Sequence, residues 1–312
     1  MKTVSFFLLM GAILLAGCVR EIALGPQTVS PSWVVVAFPE VGQPLTIYLN
    51  RVSSLVDDGP SPPTCFQSCT LWINDSLAFS RSNGCDTLIE IPARIQGEDF
   101  LKLEIATESG ILAACDTVPS SKPVVKNGDY WSVPNEEGVP VYSNSFVLVD
   151  RPVEKNYYAL QSFGYSPLGI EVMQGMQSNN VILQKEGDIG YLGFIWPLSD
   201  LNLRDTKSEI DFQIVATAWG FSTEQLDLPS DWLRGGERSM SIRIYETSPI
   251  YYRFLKSWIR HQHNRQTGNY RSDDVLEVII RGEPSFLYSN VEGGLGIFAA
   301  RSAPVYLKLQ RR

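Results

Sequence analysis

An all-β fold is what this sequence predicts, and three observations predict it. Apolar and polar residues alternate with period two along many short runs. Leu101, Leu103 and Ile105 against Lys102, Glu104 and Ala106 show it, as do Met240, Ile242 and Ile244, and Val305, Leu307 and Leu309. Clusters of Gly, Pro, Asn and Asp separate the runs, which is the chemistry of turns. One segment, beginning at Ser248, breaks the pattern with helical spacing. The expected architecture is an N-terminal immunoglobulin-like sandwich followed by a larger C-terminal β-domain carrying one packed amphipathic helix.

In chain order, residues 1–17 read as a signal peptide. Lys2 supplies the positive start, and the apolar run from Val4 to Leu15 is shorter than the roughly 20 residues that span a membrane. The run ends in Leu15-Ala16-Gly17-Cys18, the form of a bacterial lipobox, so Cys18 is the expected lipidation site. Each buried methylene of an acyl chain contributes about 0.8 kcal/mol, and several chains on one cysteine make a durable anchor. Residues 18–30 then form a lipidated tether. Val19 stands where aspartate is the usual inner-membrane retention signal, which favours the outer membrane. Glu21 beside Arg20 leaves both the periplasmic and the cell-surface leaflet open.

Residues 31–120 hold about seven short strands, among them SWVVVAF (32–38), LTIYLNRV (45–52) and TLWI (70–73), the density of an immunoglobulin- or fibronectin-like sandwich. Four cysteines fall here: Cys65, Cys69, Cys85 and Cys115. An even number in an oxidising compartment predicts two disulfides, with three pairings open. Residues 121–140, rich in Pro and Gly, read as a linker. Residues 141–312 form the second β-domain, with SFVLV (145–149), NYYALQSF (156–163) and FQIVATA (212–218) among its strands. Its helix is expected over 249–264, with Ser248 as cap and Pro249 in the first turn. Ile250, Tyr251, Phe254, Leu255, Trp258 and Ile259 share one broad apolar face, the signature of a helix packed on a sheet.

Chemistry is sparse. Without residues 1–17 the chain has 25 basic and 34 acidic residues, a net charge of −9 that argues against nucleic acid as a partner. The two histidines, His261 and His263, diverge around the helix and fit cations near its C-terminus better than metal ligands. There is no GxSxG nucleophile elbow. Asp57-Asp58-Gly59 and Glu136-Glu137-Gly138 read as turns. The expectation is a protein that is not an enzyme and takes no cofactor or metal. Trp131, Trp196, Trp219, Trp232 and Trp258 fit either a binding groove or a core. Asp75-Ser76-Leu77, Asp86-Thr87-Leu88 and Asp116-Thr117-Val118 resemble a short O-glycosylation motif, making Ser76, Thr87 and Thr117 candidate sites. Finally, NVEGGLGIFAA (290–300) has three glycines in four positions, like a phosphate loop. No Lys-Ser/Thr follows them, and an alternating strand does, so a tight turn or close approach between strands is expected.

The lipobox with CVREI, the WVVVAF and NYYALQSF strands, the SPIYYRFLKSW helix and SNVEGGLGIFAA together resemble one family. It is the Bacteroidota outer-membrane lipoprotein family known as domain of unknown function 4249. The resemblance covers nearly the whole chain after Cys18 and is most specific from Ser289 to Phe298. It implies no catalytic residue. Genes of that family often lie beside TonB-dependent receptors, which implies an accessory binding module working with such an outer-membrane β-barrel transporter. The alternative is a structural or assembly subunit of an outer-membrane complex, without a small-molecule ligand.

Overall fold

The computed structural model describes residues 32–52, 64–120, 122–134, 140–151, 155–165, 171–174, 176–178, 180–186, 195–203, 207–215, 240–265 and 286–309. The expected signal peptide, Cys18 and the tether lie outside these residues, as do Asp57, Asp58, Glu136, Glu137, Trp219 and Trp232.

Among the described residues seven strands come first: β1 (Trp33–Ala37), β2 (Leu45–Arg51), β3 (Phe66–Ile73), β4 (Ser76–Gly84), β5 (Leu88–Ile91), β6 (Phe100–Thr107) and β7 (Gly110–Thr117). Then follow β8 (Val124–Pro134), β9 (Pro140–Val149), β10 (Tyr157–Tyr165), β11 (Glu171–Gln174), β12 (Met176–Gln177), the short helix α1 (Val181–Gln184) and β13 (Ile195–Ser199). The chain closes with β14 (Lys207–Val215), β15 (Met240–Thr247), the long helix α2 (Pro249–Arg265), β16 (Leu295–Phe298) and β17 (Val305–Leu309). Among the described residues the fold is all-β with one long helix, as the alternation predicts.

Sheet I has the order β16-β1-β2-β5 and sheet II the order β4-β3-β6-β7. The chain passes from sheet I to sheet II at β3, returns for β5 and crosses again for β6, a Greek-key path of the kind immunoglobulin-like sandwiches use. Alternate residues face inward: Trp33, Val35 and Ala37 of β1 and Leu45, Ile47 and Leu49 of β2 meet Leu71, Leu101, Leu103 and Ile105 of sheet II in one buried cluster. Each large side chain so buried contributes about 1.5–3 kcal/mol.

Sheet III runs β11-β10-β15-β17, with β13 also paired to β10, and sheet IV runs β12-β14-β9-β8. They enclose a second core of Phe146, Leu148, Tyr158, Leu160, Trp196, Leu198, Ile210, Ile242 and Ile244. A third cluster lies between the two sandwiches. There Tyr251, Leu255 and Ile259 of α2 meet Ala159, Ile195 and Tyr245 from sheet III and Ile297 and Ala299 from the closing segment, with Val36 and Phe38 packed beside them. The helix is a wedge between sheets, so its wide apolar stripe is core, as expected from the sequence.

Three expectations are corrected. Residues 121–140 are not simply a linker: most of β8 lies there, paired to β9 in sheet IV with a register shift between Asn127 and Tyr130. The prolines that suggested a linker sit at or beyond the strand ends, where a missing N–H is tolerated. Nor is the N-terminal sandwich confined to residues 31–120, because β16 joins β1 in parallel, with Val34 opposite Leu295 and Ala37 opposite Phe298. Last, only one of two expected disulfides forms, between Cys65 and Cys85. Cys69 and Cys115 are free thiols. Cys69 on β3 points into the core while Cys115 on β7 is exposed, and β6 lies between their strands. Strands two places apart are about 9.5 Å from one another, beyond the reach of a disulfide.

Candidate functional site

The most motif-like stretch of the sequence lies where the two sandwiches and α2 meet. Its first half is tied down by two polar side chains. Asn290 accepts a hydrogen bond on Oδ1 from Phe298 N at 2.9 Å and donates through Nδ2 to Phe298 O at 2.8 Å and Cys115 O at 3.2 Å. Ser289 Oγ accepts from Gly296 N at 3.1 Å. Glu292 and Ala113 exchange two backbone hydrogen bonds, at 2.8 and 3.1 Å, so this arm lies along β7 in sheet II. After the turn, β16 lies along β1 in sheet I. One segment thus covers an edge of each sheet, where unpaired backbone groups would otherwise stand open.

Two glycines make that course possible. Gly293 turns with φ +75°, and a Cβ there would fall inside the Ile111 carbonyl. Gly296 has φ +121°, and a Cβ there would collide with the Val35 carbonyl across the strand pair. These are close approaches of backbone to backbone, the use expected of glycine within strands. The amides of Glu292 and Gly296 are already bonded within the protein, and β16 leads on to β17, with no helix between. The arrangement is a strand connection.

Past β16 the segment reaches Asp116, the polar centre of the junction. Asp116 is 5% exposed. Its Oδ2 accepts from Ser248 Oγ at 2.5 Å and from Ala300 N at 2.7 Å, and its Oδ1 accepts from Thr117 N at 2.8 Å. Ser248 caps α2, accepting from Tyr251 N at 3.0 Å, and its own amide donates to Ala300 O at 3.0 Å. One carboxylate therefore joins β7, the start of α2 and the closing segment. Burial pushes its pKa up to about 6, against the lowering effect of the Ser248, Ala300 and Thr117 hydrogen bonds. Ser248 spends its proton on Asp116 and its lone pair on the helix, an arrangement for capping and not for nucleophilic attack.

Two further polar contacts brace the same junction, and a third holds α2 against sheet III. Arg301 pairs with Glu40 through Nε at 2.7 Å and lies 4.9 Å over the Tyr245 ring. Arg151 donates to Ser120 Oγ at 2.5 Å, Asn156 Oδ1 at 2.8 Å and Glu246 Oε1 at 2.6 Å. Glu186, buried after α1, accepts from Ser199 N at 2.6 Å and from the Tyr252 hydroxyl at 2.5 Å, and pairs with Lys256 at 3.7 Å. That last cluster fixes α2 to the end of β13. Among the described residues no group of three or more His, Cys, Asp or Glu is arranged to hold a metal ion.

The family model for a domain of unknown function, DUF4249, matches residues 21–304. The chain belongs to that family. No curated protein matches it. In this DUF4249 chain the remaining residues singled out by sequence are dispersed. Ser76, Thr87 and Thr117 are all exposed, although the Asp116 of the third tripeptide is committed to the junction. His261 is half-buried on α2, and the side chain of His263 lies outside the described residues. Trp196 is 1% exposed in the second core, and the half-buried Trp258 packs against the third cluster. The Trp131 side chain lies outside the described residues. Burial pushes the Cys69 thiol up to about 12, which makes it a core residue and not a reactive one. Sequence reasoning missed Asp116, Asn290, Glu186 and Arg151 as structural centres. The Ser248-Pro249 cap was readable, but its partner Asp116 lies 132 residues away in sequence, with no local sign of the contact.

Proposed function

We propose that this DUF4249 protein is a lipoprotein anchored to the outer membrane through Cys18, and that it serves as an accessory, non-enzymatic binding module beside a TonB-dependent transporter. The observation that carries the reading is the apolar run ending in Leu15-Ala16-Gly17-Cys18. Two features of the fold support it. The Cys65–Cys85 disulfide suits an exported protein. Furthermore, Asp116, Ser248 and Glu186, buried polar groups of the described residues, are engaged in fastening elements together. Sugar on the exposed Ser76, Thr87 and Thr117 belongs to the same reading, and a mass shift on their peptides tests it.

The second reading, a structural or assembly subunit without a small ligand, is favoured by one observation. Trp196, one of the aromatics that would build a ligand groove, is used as core. Purifying the tagged full-length protein in mild detergent, followed by mass spectrometry, tests both. Recovery of a β-barrel partner, lost with Cys18→Ala as the protein leaves the membrane fraction, is the expected result. Recovery of no β-barrel partner would sink both readings.

A further inference from the structure

We draw no further inference here: the strongest candidate, the exposed apolar surface that Tyr48, Leu88 and Leu295 form with half-buried Val34 on the outer face of sheet I, carries nothing because no feature of the structure shows what covers it.

Discussion

Asp116 shows how one side chain can hold a junction and tune it. Three donors from the protein bind its two oxygens, yet burial raises its pKa from 3.8 to about 6. The native state therefore binds a proton more tightly than the unfolded chain does. The contribution of Asp116 to stability is fully present below the unfolded value, is lost as pH rises from about 4 to about 6, and stays lost above that. A shift of that size corresponds to roughly 3 kcal/mol. Urea unfolding of wild type and Asp116→Asn at pH 4, 5, 6 and 7 should show the stability of the wild type falling, relative to that of the variant, as pH rises. Equal slopes would remove Asp116 as the cause. Its partner is tested separately. Ser248→Ala loses the cap and leaves Asp116 one donor short, with an expected loss of about 2 kcal/mol. A loss under about 0.5 kcal/mol would mean that neither bond matters to the folded state.

At the scale of elements, the strands were legible because each buries one face, and burial of alternate residues writes itself into the sequence. Leu101, Leu103 and Ile105 are all at most 1% exposed, with the charged Lys102 between them facing out. The helix was legible for the same reason, since its six apolar positions and its capping serine are local. What was not legible depends on pairing between distant segments. β8 hid behind its flanking prolines, and β4 shows almost no inward alternation because nearly all of it is exposed. That Leu295–Phe298 pairs with β1 follows from no nearby residue, although the glycines signalled that some backbone would come close. Cysteine count likewise set the possibilities and left the pairing to geometry. The Cys65–Cys85 bond closes a separation of 20 residues, for which loop-closure entropy gives about 3 kcal/mol. Replacing both cysteines by serine should lower the unfolding free energy by roughly that amount, and reducing agent should then have no further effect. An unchanged stability would show that β3 and β4 hold together without the bond.

At the scale of the whole molecule, two β-sandwiches and a wedged helix are joined by a segment that comes late in the chain. Residues 289–302 touch sheet I through β16, sheet II through Glu292 and Asn290, α2 through Ala300 and sheet III through Ser302, whose amide donates to Glu246 O at 2.8 Å. The N-terminal sandwich is thus completed by its own C-terminal region, and the glycine-rich stretch is a fastening and not a ligand cradle. The most direct measurement is hydrogen exchange on Gly296→Ala beside the wild type. The added methyl meets the Val35 carbonyl in a backbone conformation that disfavours side chains, at an expected cost of about 3 kcal/mol or more. The account predicts that amide protection falls together in β1, in β7, in the first turns of α2 and in β15. Protection lost at β16 alone, or lost nowhere, would contradict it.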